Sequence, residues 1–275
     1  MIPSVVINLD RHPDRLKWFM ENARRVKLTV ERIEAVDAFD QSLKSQFEPF
    51  LHGESTLTYA EVACTMSHRK AWKMLLDSQA PYLAVFEDDV HLSSDISNFL
   101  VTNLVPEGVN LIKIEFPLDK VSYVHKRYAT FNGRSLHRLI TKAYGSAGYI
   151  VSRSCARRLL EVTESSRVPV DHILFSPQSV IWKEFILLQT VPALCIQDHV
   201  LSKLNRSSVQ FESAIAKGKQ DTLTLKNSGS KKRNNQFGIN INSMRRYISC
   251  VLKGANPLRY RNYIPFNLEF PGKAE

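Results

Sequence analysis

The sequence has no long uninterrupted hydrophobic segment. A membrane-spanning helix needs roughly 18 or more consecutive apolar residues, and no stretch of the 275 residues approaches that length. The N-terminus runs directly into an apolar segment at residues 2–9, without a basic region, a long hydrophobic stretch and a cleavage site. We therefore expect a protein that is neither secreted nor transmembrane and that works in the cytoplasm.

Cysteine is also scarce. The four cysteines form no Cys-x-x-Cys pair and have no histidine spacing typical of zinc sites; they are Cys64, Cys155, Cys195 and Cys250. This distribution argues against a disulfide scaffold. It favours a reducing compartment in which the thiols are buried and free.

Positive charge is concentrated at one end of the chain. Residues 201–275 contain 14 Lys and Arg against 4 Asp and Glu, whereas residues 1–200 contain 23 charges of each sign. A neutral body with a basic tail predicts contact with a polyanionic surface, either an anionic membrane leaflet or nucleic acid. Charge that only keeps a loose tail soluble is the alternative.

The stretch YLAVFEDDV at residues 82–90 combines a hydrophobic run with three consecutive carboxylates. Its aliphatic and aromatic residues follow Pro81 and predict a buried strand. Glu87, Asp88 and Asp89 then lie at the C-terminal end of that strand, where open α/β sheets bind their ligands. Because three adjacent negative charges repel one another, the cluster predicts a bound cation or a set of hydrogen-bond donors.

Apolar periodicity predicts alternating strands and helices around this stretch. Thr58 and Glu61 have the spacing of a capping box, which predicts a helix that begins there and ends before Pro81. Strands are predicted at 4–9, 30–36, 82–87 and 110–116 and, after glycines, within 145–152; further helices are predicted after Pro13 and at 153–163, and residues 187–197 are an apolar run interrupted by proline. Residues 38–53 are expected to be irregular and 117–138 to be a polar connection. The alternation predicts an α/β sheet protein.

From about residue 207 the composition becomes polar and basic. Residues 227–235 have the composition of a flexible linker. Residues 241–252 place apolar side chains on one helical face with basic neighbours, so a helix here would either lie on a membrane surface or pack on the body. We therefore divide the chain into a domain of residues 1–206 and a basic C-terminal extension of residues 207–275.

Four motifs follow one another in a specific order. They are VINL at 6–9 with Arg15, EVACTMSH at 61–68 with Trp72, VFEDDV at 85–90, and GYIVS at 148–152 with Ala156. Together they resemble glycosyltransferase family 25, and the resemblance covers about residues 4–200. That family is similar to bacterial lipooligosaccharide galactosyltransferases and to collagen galactosyltransferases. The ordered set is far more specific than an acidic triplet alone.

The resemblance implies a GT-A-like fold, in which a Rossmann-type α/β sheet binds a sugar nucleotide and a divalent metal ion at an acidic strand end. Carried over by position, Asp89 with Glu87 would bind the metal ion at the donor diphosphate, and Glu87 or Asp88 would contact the ribose or the sugar. His199, beside Asp198, would add a late metal ligand. Carboxylate and phosphate oxygens suit Mn²⁺ or Mg²⁺, which would stabilise the leaving diphosphate.

Donor-binding residues are expected after the first strand and on the capped helix. Asn8, Arg11 and Arg15 lie where they could hold the uracil, ribose or phosphate of a UDP-sugar. Ser67 and His68 match the Ser-His pair of the family and would line the donor pocket. A surface ion pair is the alternative for Arg15, and a packed core histidine is the alternative for His68.

An inverting transfer also needs a general base, because the acceptor hydroxyl must lose its proton as it attacks the anomeric carbon. Asp171, in a Val-Asp-His context that resembles a family element, is the first candidate, and Glu115, at the end of a predicted strand, is the second. A helix cap or a surface carboxylate is the alternative for either residue.

These expectations combine into a metal-assisted, inverting UDP-sugar-dependent hexosyltransferase. It would move a hexose, galactose by resemblance, from a UDP-hexose donor to a lipid-linked oligosaccharide acceptor of a lipooligosaccharide or lipopolysaccharide. The basic extension would hold it on the anionic surface at the cytoplasmic face of the inner membrane. No nucleic-acid partner is expected, because the motifs of common nucleic-acid readers are missing. The alternatives are a metal-dependent phosphohydrolase and a non-catalytic polyanion- or membrane-binding module.

Overall fold

The structure, a computed structural model, describes residues 1–51, 55, 57–101, 105–117, 121–124, 126–131, 133–203 and 259–262. The strands are β1 (Ser4–Asn8), β2 (Glu31–Glu34), β3 (Tyr82–Glu87), β4 (Val90–Leu92), β5 (Val109–Lys113), β6 (Val121–Val124), β7 (Ala129–Phe131), β8 (Arg134–Arg138), β9 (Gly148–Ser152), β10 (Ile186–Val191), β11 (Cys195–Gln197) and β12 (Arg259–Asn262). The α-helices are α1 (Pro13–Arg25), α2 (Lys44–Leu51), α3 (Tyr59–Asp77), α4 (Ile96–Phe99), α5 (Arg153–Val162), α6 (Val170–Phe175), α7 (Val180–Glu184) and α8 (Asp198–Lys203).

A mixed sheet in the order β2-β1-β3-β9-β5-β10-β8-β7 forms the centre of the molecule. Strands β2, β1 and β3 are parallel, β9 is antiparallel to both β3 and β5, and β10 is parallel to β5. Because β8 is antiparallel to both β10 and β7, six of the eight strands of this sheet share one direction. The predicted class, a GT-A-like α/β fold with a Rossmann-type sheet, is confirmed.

Helices cover both faces of the sheet, so successive residues of its inner strands are buried on opposite sides. In β1, Val5 and Ile7 belong to the hydrophobic core that contains Trp72 of α3, whereas Val6 belongs to the core that contains Phe19 of α1. All five residues of β1 are buried. A strand buried on both faces is hydrophobic throughout, and this explains the continuous apolar run in the sequence.

Helix α3 begins with the capping box that the sequence predicts. The Glu61 amide donates to Thr58 Oγ1 at 3.2 Å, and the Thr58 amide donates to Glu61 Oε2 at 2.9 Å. Two helix-end donors are thereby satisfied. The small residues Ala63, Ser67 and Ala71 are buried on this helix, so its backbone can lie close to the sheet.

Two segments differ from their sequence-based expectation. Residues 38–53, expected to be irregular, contain a 3₁₀ helix at Gln41–Leu43 and α2, and the fully buried Phe47 anchors α2 in a small core with α3. The polar segment 117–138 contains β6, β7 and β8. Pairing with β10 and β12 stabilises these strands, and local apolar periodicity does not record such pairing.

The acidic strand end is reinforced by a second, short sheet. Strand β4 follows the acidic residues directly and pairs antiparallel with β11, with Val90 opposite Gln197. The Asp198 amide donates to the Asp89 backbone carbonyl at 2.8 Å. The start of α8 is therefore fixed beside the acidic motif, although more than one hundred residues separate them in the chain.

Within the predicted C-terminal extension the structure describes β12, which pairs antiparallel with β6. The linker predicted at 227–235 and the amphipathic helix predicted at 241–252 lie outside the described residues. None of the helices within the described ranges is both long and apolar enough to cross a membrane. Cys64, Cys155 and Cys195 carry free thiols, as expected.

Candidate active site

A pocket opens at the carboxyl ends of β1, β2 and β3, the edge of an α/β sheet where ligands bind. Its volume is about 160 Å³. The side chains around it form an apolar end near β1 and β2 and an acidic end at the close of β3. They are Ile7, Leu9, Arg11, Arg15, Ala35, Val36, Ala38, Phe39, Ala60, Ala63, Cys64, Ser67, His68, Glu87, Asp88, Asp89 and Gln197.

Asp88 is the acidic residue that the protein itself satisfies most fully. Asn8 Nδ2 donates to Asp88 Oδ2 at 2.6 Å, and Arg15 forms an ion pair with the other carboxylate oxygen. Burial raises the pKa of Asp88, and the Arg15 charge and the Asn8 hydrogen bond oppose this rise. Asp88 therefore ties β1 and α1 to the end of β3.

Asp89 has longer contacts than Asp88, and it lies close to the negative charges of Glu87 and Asp88. Arg15 Nη2 is 3.5 Å from Asp89 Oδ2, and Gln197 Nε2 is 3.5 Å from Asp89 Oδ1. Burial, and then the negative charge of Glu87, raise the pKa of Asp89 to about 7, and Arg15 opposes this rise. An ionised Asp89 would be stabilised by an additional cation.

Glu87 faces α3 and the segment before β9. Ser146 Oγ donates to Glu87 Oε1 at 2.8 Å, and His68 Nε2 is 3.6 Å from the same oxygen. Burial acts to raise the pKa of Glu87, but the neighbouring His68, Ser146 and Arg15 outweigh it and lower this pKa below the ordinary value. Glu87 is therefore ionised at neutral pH and available to a ligand.

Ser67 and His68 both line the pocket, and both also hold the fold together. Ser67 Oγ donates to the Ala63 carbonyl at 2.7 Å and accepts from the Val36 amide at 2.8 Å. This pair of bonds attaches the end of the segment after β2 to α3. His68 Nδ1 is 2.9 Å from the Tyr149 hydroxyl, which fixes the orientation of the imidazole ring.

Two residues near the apolar end of the pocket, Asp37 and Phe39, were not predicted from the sequence as site residues. Arg11 forms an ion pair with Asp37, and its guanidinium lies 4.9 Å from the centre of the Phe39 ring. The Phe39 side chain is 71% exposed. Asp37 follows a parallel strand and could have been found by the same argument as Glu87; an exposed Phe39 carries no local signal.

His199 lies in the first turn of α8, close to the acidic end but not among the lining side chains. Its Nδ1 atom is buried and has no hydrogen-bond partner within the described part of the chain. Burial, and then the charge of Lys203, lower the pKa of His199. The imidazole is thus neutral at physiological pH and has a lone pair to donate.

Glu115 does not reach the pocket lining. Its carboxylate accepts from Lys113 Nζ at 2.7 Å and from the Ala147 amide at 3.1 Å, and both charged side chains are buried. Burial raises the pKa of Glu115 to about 7, with Lys113 opposing the rise. Gly145 packs against this carboxylate with a φ of +96°, and a Cβ atom there would lie 2.5 Å from Glu115 Oε1.

Asp171, in α6, meets the other side of the same turn. Its Oδ2 atom accepts from the Gly145 amide at 3.2 Å. The residue is only partly buried. Burial raises the pKa of the Cys64 thiol in the pocket lining, and the negative charges of Glu87 and Asp171 add to this rise. The two base candidates therefore flank the turn at residues 145–147, which also carries the hydroxyl bound to Glu87.

The acidic end has donor groups that fit a hard divalent metal ion. Glu87 and Asp89 supply carboxylate oxygens at the pocket, whereas His199, in the first turn of α8, is not among the metal-ligand side chains that converge within 4.8 Å in the described ranges. Mn²⁺ and Mg²⁺ prefer such oxygen-rich sets. A cation would also offset the charge that makes ionisation of Asp89 unfavourable. The carboxylates of the pocket therefore fit the chemistry of the metal that the sequence resemblance implies, whereas His199 enters the ligand set by the resemblance alone.

Comparisons with known proteins find similarity to glycosyltransferases and to other proteins of LPS and lipooligosaccharide biosynthesis. The sequence profile of glycosyltransferase family 25, described as LPS biosynthesis protein, matches residues 1–174. LgtE, a lacto-N-neotetraose biosynthesis glycosyltransferase of Neisseria meningitidis serogroup B, is 31% identical over 183 residues, or 61% of this chain and 63% of that protein. The lipooligosaccharide biosynthesis protein lic2B of Haemophilus influenzae is 26% identical over 235 residues, or 81% of this chain and 85% of that protein.

A solved glycosyltransferase involved in glycosylation of the major capsid of PBCV-1 is 8% identical, with a TM-score of 0.40 over 71% of this chain and 92% of that chain. This likeness is too weak to add to the assignment. The profile match is sufficient by itself because it extends over residues 1–174, more than half of the chain, and includes α3 and the acidic motif. The chain belongs to glycosyltransferase family 25.

Proposed function

We propose that the protein is a UDP-hexose-dependent glycosyltransferase that extends the oligosaccharide of a lipooligosaccharide or lipopolysaccharide. The observation that carries this proposal is the two-ended pocket, which joins an apolar, aromatic-rimmed end to an acidic end. A nucleotide-sugar has the matching chemistry, since its base is planar and apolar on its faces and its diphosphate needs a cation beside carboxylates. Relatives named for lacto-N-neotetraose and lipooligosaccharide biosynthesis support an oligosaccharide acceptor.

The donor would lie along the pocket with its uracil at the apolar end. Phe39, exposed and already covered on one side by the Arg11 guanidinium, offers a ring for base stacking. Asn8 and Arg15 orient the acidic motif through Asp88. Asp89, Glu87 and His199 would hold Mn²⁺ or Mg²⁺, which supplies charge stabilisation for the leaving diphosphate when bound.

The transfer itself needs one proton acceptor. In an inverting reaction the acceptor hydroxyl attacks the anomeric carbon, the bond to the diphosphate breaks, and UDP departs. Asp171 is the better candidate base, because it is partly exposed and its hydrogen-bond donors within the described residues are two uncharged backbone amides. Glu115 is fully engaged by Lys113 and the Ala147 amide, so we assign it a positioning role for the turn at residues 145–147.

Asp171→Asn tests this assignment. Loss of the base should lower kcat about 10²- to 10⁴-fold while the dissociation constant of UDP stays within about twofold, because Asp171 does not line the pocket. Steady-state kinetics and calorimetry measure the two quantities. Glu115→Gln is the matched comparison, and a larger loss of kcat in that variant would exchange the two roles.

Galactose is the proposed hexose, on the basis of the family resemblance. The C-terminal extension, residues 207–275, would attach the catalytic domain, residues 1–206, to anionic lipid at the cytoplasmic face of the membrane. The reason is its charge, because residues 201–275 contain 14 basic and 4 acidic residues. Replacing Lys231, Lys232 and Arg233 by Glu should weaken sedimentation with anionic vesicles and leave transfer to a soluble acceptor unchanged.

The proposal is tested with the purified full chain. We expect UDP to bind more tightly with Mn²⁺ than without it, and a screen of UDP-hexoses with mass detection should give one hexose added to a soluble lipooligosaccharide core fragment. No binding of UDP and no transfer from any UDP-hexose would refute the proposal. Release of inorganic phosphate from a simple ester without a sugar nucleotide would instead support a phosphohydrolase.

A further inference from the structure

Three metal-ligand side chains converge on the wall of the pocket beside α3. They are Cys64, His68 and Glu87, and one potential ligand atom from each lies within 4.8 Å of the other two. Cys64 and His68 are one helical turn apart on α3, and Glu87 comes from the end of β3. The sequence showed no zinc-like spacing because the third ligand is contributed by a different element.

The histidine in this group is already oriented for metal binding. Trp72 Nε1 donates to the Tyr149 hydroxyl at 2.9 Å, and His68 Nδ1 lies 2.9 Å from the same oxygen. With its proton on Nδ1, His68 donates to that oxygen and presents the Nε2 lone pair to the pocket; with its proton on Nε2, metal binding releases that proton to solvent. An outer partner on one imidazole nitrogen is the usual arrangement of a metal-bound histidine.

A second observation points to a ligand at this place. His68 is fully buried, and its Nε2 atom, which faces Glu87 Oε1 at 3.6 Å, has no hydrogen-bond partner within the described ranges. A buried polar atom without a partner costs free energy, and a bound ion would remove that cost. All three side chains also line the pocket, so solvent ions can reach them.

We propose that Cys64, His68 and Glu87 form a site for a thiophilic divalent metal ion of the Zn²⁺ type, with the fourth coordination position open to the pocket. Three protein ligands and one position left for water or substrate are the arrangement of open zinc sites, in contrast to closed structural sites with four protein ligands. On binding, Cys64 releases its thiol proton to solvent, while His68 Nε2 and Glu87 donate lone pairs. The thiolate distinguishes this site from the oxygen-rich site at Asp89, which suits Mn²⁺ or Mg²⁺.

One consequence rests on the proposed function. Glu87 belongs to both sites, so an ion held by Cys64 and His68 withdraws this carboxylate from the donor. Zn²⁺ should then inhibit transfer in the presence of Mn²⁺. Metal binding itself does not depend on transfer, and its test therefore uses no substrate.

The test is a titration of the metal-free full chain with Co²⁺, which reports sulfur ligation through a thiolate charge-transfer band. We expect one equivalent to give that band and Zn²⁺ to displace it. Cys64→Ser should abolish the band and weaken affinity by more than the ~10- to 100-fold typical for loss of an outer-shell partner. Cys155→Ala, at a buried cysteine of α5, should retain it.

A measurement on the wild-type protein covers the case in which Cys64→Ser fails to fold. Zn²⁺ should protect Cys64 from alkylation, as read by mass spectrometry of its peptide, and Mg²⁺ should not. A Co²⁺ band that survives in Cys64→Ser, or unchanged alkylation with Zn²⁺, would overturn the proposal. Because UDP binding is measured separately, failure here leaves the proposed transferase intact.

Discussion

Two groups of buried carboxylates near the sheet end are neutralised in different ways. Glu115 accepts from Lys113 at 2.7 Å, and the side chains of this pair are 2% and 0% exposed. The acidic motif instead places Glu87, Asp88 and Asp89 together and shares Arg15 between the two aspartates.

The first group is complete within the fold, whereas the second carries more negative charge than its arginine can offset. Burial raises the pKa of Glu115 and of Asp89 to about 7 in each case, but of these two residues it is Asp89 that lines the pocket at the ends of β1, β2 and β3. The difference separates a cluster that is complete within the fold from one that is open to the pocket. Raised pKa values alone would not separate them.

The largest expected effect is on the complete group. Lys113→Met leaves Glu115 buried without its cation and should lower the free energy of unfolding by about 3–5 kcal/mol. The loss should be greater at pH 8 than at pH 5, where Glu115 can take up a proton. Urea unfolding measures it. Adding Glu115→Gln to Lys113→Met should recover most of the lost stability. A Lys113→Met variant as stable as the wild type would contradict the structural role of the Lys113–Glu115 pair.

Asp89→Asn tests the incomplete group. Removing this carboxylate should lower kcat/KM about 100- to 1000-fold and remove the Mn²⁺ dependence of UDP binding. Stability should not fall, because an ionised Asp89 is unfavourable in the free protein. Asp77→Asn, at the exposed end of α3, is the control. Unchanged metal dependence would mean that the cluster does not bind the metal.

The pH dependence of stability sharpens the contrast. The folded protein holds a proton on Glu115 up to a pH of about 7, whereas the unfolded chain releases it near the ordinary carboxyl pKa. This stabilising contribution is complete at low pH and is lost as pH rises. It amounts to about 2 kcal/mol between pH 5 and pH 7. Glu115→Gln should reduce the change in the free energy of unfolding between pH 5 and pH 7 by that amount. Glu161→Gln, at an exposed position, should leave this pH dependence unchanged.

The smallest expected effect concerns the apolar end of the pocket. Phe39→Ala should weaken UDP binding by about 1 kcal/mol, roughly fivefold, through lost base stacking. Binding of pyrophosphate with Mn²⁺ should not change, because the phosphate end is untouched. Phe39→Tyr, which keeps the ring, is the matched control in calorimetry. Equal losses for UDP and pyrophosphate would exclude a base platform at Phe39.

Local signals in the sequence were sufficient to predict much of the site. A strand ending in carboxylates predicted the position of Glu87, Asp88 and Asp89, and the capping box located the start of the helix that carries Ser67 and His68. These features depend on residues a few positions apart. The placement of Asn8, Arg11 and Arg15 followed from their position after a parallel strand.

The different contacts that similar acidic residues make in the fold could not be predicted from such local signals. Asp88 and Asp89 are adjacent in sequence and both line the pocket, yet Asp88 contacts Asn8 and Arg15 closely, whereas Asp89 lies 3.5 Å from Arg15 and from Gln197. The engagement of Glu115 by Lys113 depends on burial. The grouping of Cys64 with Glu87 depends on how α3 lies against β3.

By itself, the sequence determined the family, the α/β class and the edge of the sheet at which ligands bind, because ordered motifs, strand periodicity and caps are local properties. Tertiary structure decided the antiparallel insertion of β9 between β3 and β5, the helix and strands in segments without apolar periodicity, and the separation of a complete from an incomplete carboxylate group. Each of these depends on which distant side chains share a low-dielectric interior, since burial sets the free energy of a charge and only the fold sets burial.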